Sequence, residues 1–214
     1  MSERVNIGCG RTLAVGWLNF DNSPALKLAN SPFKYRLSKI LGLLNADQIE
    51  NIEWNIANKV GFADATKAIP LDSSSCACIY TSHMFEHLSQ DGALTFLGES
   101  LRVLEKNGVL RISVPDLSVA VKEYISVGDA DSFMENMLVS APPIKTIRQK
   151  IGLLVSGYRH HQWMYDGKSL VKLMTKAGFR NVTIQAPGRS LIEMTDGLDL
   201  FERADQSVFV EGVK

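Results

Sequence analysis

Short apolar runs alternate with longer amphipathic stretches along most of this chain. The short runs have the length and composition of β-strands and lie at residues 4–8, 18–21, 60–63, 76–81, 109–114, 182–186 and 207–210. Two later stretches space their apolar residues as helices do: one covers about 90–106 with Gly108 as its stop, and the other runs from the Asp166 cap to Gly178. Strands that alternate with helices predict an α/β fold with a mainly parallel, doubly wound sheet.

Two stretches interrupt this alternation and are predicted to be helical insertions, at about 23–57 and 117–158 of a single domain that covers residues 1–214. In the first insertion, Pro32 can open a helix with an apolar stripe formed by Leu37, Ile40, Leu41 and Leu44. The basic residues of that helix are Lys34, Arg36 and Lys39. They form either a solvated face or a contact to a phosphate-bearing acceptor such as a nucleotide-linked sugar. The second insertion is helical by pattern and broken at Pro142-Pro143.

Composition excludes several classes of protein. Lys+Arg and Asp+Glu balance at 23 each, so no global field attracts nucleic acid or a membrane surface. No apolar run reaches the roughly 18 residues of a membrane span, and Ser2-Glu3-Arg4 leads into the first strand without a signal-peptide core. We therefore expect a cytoplasmic protein. The three cysteines cannot form a disulfide framework; Cys76 and Cys78 alternate along one face of a strand, which favours buried free thiols.

The first strand runs into a glycine loop, Gly8-Cys9-Gly10, and the second strand ends on Asp21. Glycines at a strand's exit let a ligand approach the backbone, and a carboxylate after the next strand suits ribose hydroxyls. The sequence therefore predicts a nucleoside-containing ligand. A dinucleotide fingerprint is disfavoured, because Leu13 stands at the third glycine position and Asp21 follows Gly8 too closely for a full crossover helix.

Four stretches resemble the class I S-adenosylmethionine (SAM)-dependent methyltransferases, and most closely the small bacterial type 11 group. These stretches are Asn6 to Gly10, Ala63-Asp64-Ala65 with Ile69-Pro70-Leu71, Ser82 to Leu88, and Gly108 to Asp116. The resemblance implies a Rossmann-like sheet of seven strands in the order 3-2-1-4-5-7-6, with strand seven antiparallel and helices on both faces. Members of this group are often linked to surface-polysaccharide or natural-product pathways.

The resemblance also implies a cofactor-binding set. Gly8, Cys9 and Gly10 would pass beneath the methionine part of SAM, and Asp21 would bind the ribose. Asp64 would accept from the adenine amino group, Ala65 would donate from its backbone, and Leu71 would lie against the ring. Asn6 and Ser82 complete the set. Two residues depart from the glycine motif of the family: Asn6 replaces the acid that usually opens it, and Thr12 replaces its third glycine. The insertion at 23–57 would act as the lid over the cofactor site.

Two groups of residues are candidates for chemistry. His83 follows the fourth predicted strand, where it is either a general base for a hydroxyl acceptor or a loop support; the nearby Glu86 and His87 are expected to be structural. His161 belongs to the polar and aromatic segment 160–166, which either shapes an acceptor pocket or packs as a loop before the Asp166 cap. No metal site is expected, because the adjacent His160 and His161 point apart in an extended segment.

These observations predict a SAM-dependent methyltransferase that O-methylates a small-molecule or glycan acceptor, with no nucleic-acid partner, no membrane span and an open oligomeric state. An NAD-dependent oxidoreductase is disfavoured by the spacing of the glycine loop. A non-catalytic relative that binds cofactor or a partner stays an alternative because of Asn6 and Thr12.

Overall fold

The computed structural model describes residues 2–138 and 160–214. Its elements in chain order are β1 (Glu3–Ile7), β2 (Leu18–Asp21), α1 (Pro24–Ala29), α2 (Pro32–Ile40), α3 (Ala46–Ala57), β3 (Gly61–Phe62), β4 (Cys76–Ser82), a 3₁₀ turn (Phe85–His87), α4 (Gln90–Val103), β5 (Leu104–Pro115), α5 (Leu117–Val127), α6 (Ala130–Met137), α7 (Gly167–Ala177), β6 (Arg180–Gln185) and β7 (Ser207–Val213).

The strands form one seven-stranded sheet in the order β3-β2-β1-β4-β5-β7-β6. Neighbours from β3 to β5 are parallel, whereas β7 is antiparallel to both β5 and β6. The predicted Rossmann-like α/β fold, its strand order and its antiparallel last strand are therefore confirmed. The carboxyl ends of β1, β2 and β4 lie at one edge of this sheet, which is where open α/β sheets bind ligands.

The main core lies on one face of the sheet, beneath α4 and α7. Alternate residues of the central strands point into it, as the period of two in a strand requires, and Ile79, Leu110, Ile112 and Val210 are among those fully buried. Helix α7 is capped at its start by Asp166, whose side chain accepts from the Ser169 backbone in a reciprocal capping box, and at its end by Gly178 with φ 114°. Both predicted ends of this helix are confirmed.

The opposite face carries a second cluster, covered by the loop before β2 and by the segment between β6 and β7. Trp17 packs there beside Tyr80 and Ile192, and its indole N–H donates to the Asp196 carbonyl at 2.9 Å. The predicted absence of a crossover helix between β1 and β2 is confirmed, because only turns connect them.

A fully buried ion pair crosses β5 and β7 on that same face. Arg111 Nη1 lies 2.7 Å from Glu211 Oε1, and both side chains are inaccessible to solvent. Ser190 Oγ and the Leu191 N–H donate to the two oxygens of the same carboxylate, and Arg111 Nη1 also donates to the Arg189 carbonyl. The pair therefore fixes the segment after β6 to the sheet.

Three local predictions are wrong in detail. Helix α4 ends at Val103, not near 106, because Leu104 already pairs with Cys76 in the sheet. Cys76 and Cys78 do not share a face: the register shifts between them, and Cys76 packs in the main core whereas Cys78 packs in the second cluster. Helix α2 does open at Pro32, but it has no buried residue, and Ile40 of its apolar stripe is 81% exposed.

The single domain and the limits of its two insertions stay predictions. Within 23–57 the structure has α1, α2 and α3, and within the described part of 117–158 it has α5 and α6. Pro142-Pro143 lies outside the described residues. Among the helices of the described ranges, none is long and apolar enough to cross a membrane.

Candidate functional site

The glycine loop after β1 bends tightly at both of its glycines. Gly8 has φ 74° and Gly10 has φ 50°, a region that side chains with a Cβ rarely adopt. A Cβ on Gly8 would lie 2.4 Å from Met84 Cγ, whereas a Cβ on Gly10 would meet open space. Gly8 is therefore required by packing, and Gly10 leaves room over the loop where a ligand can approach the backbone.

Asp21 at the end of β2 braces this loop. Its Oδ2 accepts from the Gly10 N–H at 3.0 Å, and its Oδ1 accepts from the Ser23 N–H at 2.7 Å. A carboxylate offers about four acceptor positions, so each oxygen keeps one for a further donor. The two remaining positions suit the two hydroxyls of a ribose.

Asp64 follows β3 and is half-buried. Burial raises the pKa of its carboxyl, but hydrogen bonds from Lys67 and Thr66 outweigh that effect and hold the pKa below its usual value. Thr66 Oγ1 donates to Oδ1 at 2.6 Å, and Lys67 Nζ lies 2.8 Å from Oδ2. Asp64 is therefore an ionised acceptor. Its neighbour Ala65 is buried, with its side chain in the main core.

Two members of the expected cofactor set have evident structural contacts. Asn6 is buried, and its amide donates to the Thr12 carbonyl and to Asn19 Oδ1, so only its side-chain oxygen could accept from a cofactor. The Cys9 side chain packs with Leu26 and Val60. Burial, reinforced by the charge of Asp21, raises the pKa of the Cys9 thiol to about 12. Cys9 can therefore serve a ligand only through its backbone.

Two further members lie at the borders of the site. Leu71 packs against the main core, and its carbonyl accepts from Arg102 Nη1 at 2.9 Å. This position places it beside α4, and its predicted contact with the adenine ring stays a prediction. Ser82 ends β4, where it pairs with Ser113 of β5.

An open cleft of about 480 Å³ lies between Asp64 of the expected cofactor set and His87. Asn22 and Asp64 line one part of it, and His87 and Gln162 line another. This volume is in the range of about 300–1,000 Å³ that small-molecule sites occupy. The cleft thus brings Asp64 of the expected cofactor set together with His87 and with Gln162 of the segment 160–166.

His83 occupies the position directly after β4. Its φ of 49° is unusual for a residue with a Cβ, and its N–H donates to the Ser113 carbonyl at 2.9 Å. The ring bridges two elements: Nε2 lies 3.1 Å from Ser207 Oγ at the start of β7, and Nδ1 lies 3.5 Å from Glu86 Oε1. The imidazole is therefore held in a fixed orientation at the sheet edge.

His161 faces the same carboxylate from the other side. The segment that carries it docks on the 3₁₀ turn, because the N–H groups of Gln162 and Trp163 both donate to the Glu86 carbonyl. His161 Nε2 lies 3.8 Å from Glu86 Oε1. Burial lowers the pKa of His161, the charge of Glu86 opposes that shift, and the nearby His87 adds to it. The ring is therefore mostly neutral at pH 7.

Glu86 lies at the centre of a histidine cluster that the sequence analysis did not assemble. It is 1% exposed, and the rings of His83, His87 and His161 all point towards it. The expectation that Glu86 is structural stays a prediction. Of its three histidine neighbours, only His161 comes from a distant segment. The spacing of His83, Glu86 and His87 across one turn was the available signal.

Comparisons with known proteins agree with this geometry. The sequence model of a family described as "Methyltransferase domain" matches residues 18–184. No curated protein matches the chain. A SAM-dependent methyltransferase from Thermotoga maritima, a possible histamine N-methyltransferase, has a similar structure at TM-score 0.51 and 17% identity, over 100% of this chain and 83% of that one.

Two other solved structures align with this chain. The SAM-dependent methyltransferase SibL in its apo form aligns at TM-score 0.50 and 15% identity, over 100% of this chain and 50% of that chain. PigF with S-adenosylhomocysteine (SAH) aligns at TM-score 0.46 and 15% identity, over 100% and 56% of the two chains. At such identities the Thermotoga maritima and SibL structures show the fold alone.

The sheet topology and the loop between Gly8 and Asp21 define a class I SAM-dependent methyltransferase fold. The chain belongs to the methyltransferase-domain family, and its cofactor is SAM. The open space over Gly10 and the spare acceptor positions of Asp21 fit that cofactor.

Proposed function

We propose that this protein transfers the methyl group of SAM to a hydroxyl of a small-molecule or glycan acceptor in the cytoplasm. The observation that carries the proposal is the single cleft that Asp64 and Asn22 share with His87 and Gln162. A reaction between two ligands needs both of them in one space. The cleft joins Asp64 of the expected nucleoside site to the imidazole of His87, which shares the Glu86 carboxylate with His83.

Alignment of the acceptor is the first contribution of this chain. When bound, SAM supplies a methyl group on a positively charged sulfur, so much of the rate comes from holding the acceptor oxygen in line. Trp163 is 46% exposed and next to Gln162 of the cleft, so it offers an aromatic surface for a sugar ring. We therefore favour a glycan acceptor, and polysaccharide biosynthesis as the setting.

His83 is the proposed general base. The Glu86 carboxylate near Nδ1 orients the ring and stabilises its protonated form, in the manner of a carboxylate–histidine pair. Nε2, which now contacts Ser207 Oγ, takes the proton of the acceptor hydroxyl. His161 is the second candidate for this role, because its ring meets the same carboxylate.

The test is a screen of hydroxyl-bearing acceptors with methyl-labelled SAM, followed by kinetics of variants. His83→Ala should lower turnover by about 10²-fold or more and leave SAH affinity unchanged. His160→Ala, which removes a neighbouring imidazole outside the Glu86 cluster, is the matched control. If turnover falls by less than about threefold, His83 only supports the loop. The double variant His83→Ala/His161→Ala then shows whether the two rings share one site, because the effects of the two single changes would not add if they do.

A non-catalytic cofactor-binding protein is the alternative, and the contacts of Asn6 favour it. The amide of Asn6 is used to hold the glycine loop and leaves only one polar atom for the cofactor. Under this alternative SAH would stabilise the protein against heat, but no acceptor would be methylated. Stabilisation by NAD and not by SAH would contradict both hypotheses.

A further inference from the structure

Within the described parts of the chain the buried carboxylate of Glu86 accepts no hydrogen bond, and His83 Nδ1 is the nearest of the three surrounding imidazole nitrogens at 3.5 Å. Glu86 is 1% exposed. Burying an unpaired carboxylate is among the most costly arrangements in a protein interior. Its backbone carbonyl, in contrast, accepts two bonds from the segment above. The side chain therefore calls for a positive partner.

Two imidazoles face this carboxylate at distances that do not fit hydrogen bonds. His87 Nε2 lies 4.0 Å and His161 Nε2 lies 3.8 Å from Glu86 Oε1, whereas a charge-assisted hydrogen bond would close to about 2.7–2.9 Å. His87 Nδ1 lies 3.0 Å from the His160 carbonyl. A carbonyl only accepts, so Nδ1 carries the proton in a neutral ring and Nε2 presents a lone pair to the carboxylate.

Two acceptors that point at one another with a gap between them are the geometry of ligands around a cation. The three ligand atoms of Glu86, His87 and His161 all lie within 4.8 Å of one another. Metal–ligand bonds of about 2.0–2.2 Å place tetrahedral neighbours roughly 3.3–3.5 Å apart. Each Glu86–imidazole distance would have to shorten by about 0.5 Å, which side-chain rotation can provide.

We infer that Glu86, His87 and His161 form a binding site for one divalent first-row transition-metal ion at the border of the cofactor cleft. One carboxylate and two imidazoles suit such ions and discriminate against Mg²⁺ and Ca²⁺, which prefer oxygen ligands. The sequence-based expectation of no metal site rested on His160 and His161; of that pair, His161 reaches the carboxylate, and the other ligands come from the 3₁₀ turn.

Neighbouring groups support the ligands as they do in known metal sites. The His160 carbonyl orients His87, and His83 Nδ1 lies 3.5 Å from the ligating carboxylate. Because His87 also lines the cleft, an ion with three protein ligands has coordination positions open to an oxygen of a bound molecule. This site goes beyond methyl transfer and does not depend on it.

The experiment uses tag-free full-length protein stripped with a chelator and titrated with Co²⁺, a spectroscopic probe. We expect one ion per chain and visible d–d bands without an intense sulfur-to-cobalt charge-transfer band, because the three cysteines lie elsewhere. Glu86→Gln and His161→Gln should weaken binding by at least about 100-fold, whereas His160→Ala should not. Zn²⁺ should raise the melting temperature of the wild type and compete with Co²⁺.

Glu86→Gln removes a buried charge, so it should fold at least as well as the wild type without metal, which its melting temperature will show. Absence of stoichiometric binding by the wild type would overturn the inference. Binding that survives Glu86→Gln, or that shows sulfur charge transfer, would overturn it as well. None of these readouts involves methylation, so failure of the metal site and failure of the proposed function are distinguishable.

Discussion

Asp21 allows the sharpest test of the cofactor site. Asp21→Ala removes the carboxylate that should bind the ribose and that now accepts from the Gly10 and Ser23 N–H groups. Hydrogen bonds to charged groups contribute about 1.5–3 kcal/mol each. Since Asp21 is partly exposed and water can replace it, we expect a total loss of about 1–3 kcal/mol in the binding of SAH. This corresponds to a rise in Kd of roughly 5- to 150-fold.

The assay is isothermal titration calorimetry with SAH at constant ionic strength. Asp47→Ala is the matched control, because it removes an equal charge from the exposed first turn of α3. The melting temperature without ligand separates loss of loop bracing from loss of ribose contacts. If Asp21→Ala changes Kd by less than about twofold, or if Asp47→Ala weakens binding equally, Asp21 does not bind the ribose.

Three further perturbations test other features of the structure. Asp64→Ala should cost about 0.5–1.5 kcal/mol of SAH binding free energy, which is less than Asp21→Ala, because only one neutral amino group loses its acceptor. A loss in calorimetry that equals or exceeds that of Asp21→Ala would contradict this. Burial raises the pKa of all three cysteine thiols to about 12, so above pH 9 the unfolded chain releases protons that the folded chain keeps. Stability measured by urea unfolding should then fall as pH rises above about 9, by up to ~1.4 kcal/mol per pH unit and thiol, and a flat profile would refute the burial argument. Glu211→Gln should destabilise the protein by about 3–5 kcal/mol, because Arg111 stays buried without its charged partner. The double variant Arg111→Met/Glu211→Leu should regain most of that stability. A mild effect of Glu211→Gln in chemical denaturation would show that the ion pair is dispensable.

Local sequence determined most of the elements and the loop at which the cofactor is expected to bind. The bend at Gly8 and Gly10 and the carboxylate of Asp21 follow from residues within a few positions of two strand ends. The Asp166 cap likewise needs only the Ser169 backbone three residues on. Such features are readable because the interacting atoms belong to one short stretch, whose conformation fixes their geometry.

Tertiary structure alone decided where the polar groups meet. Glu86 faces His161 because the segment after residue 159 docks on the 3₁₀ turn through backbone hydrogen bonds. Arg111 meets Glu211 because β7 pairs antiparallel with β5 in the register that places these two residues opposite each other. The period of a strand or helix specifies which face is apolar, but not which neighbour or register it finds. A buried charge therefore looks like any surface charge in the sequence until packing brings its distant partner to it.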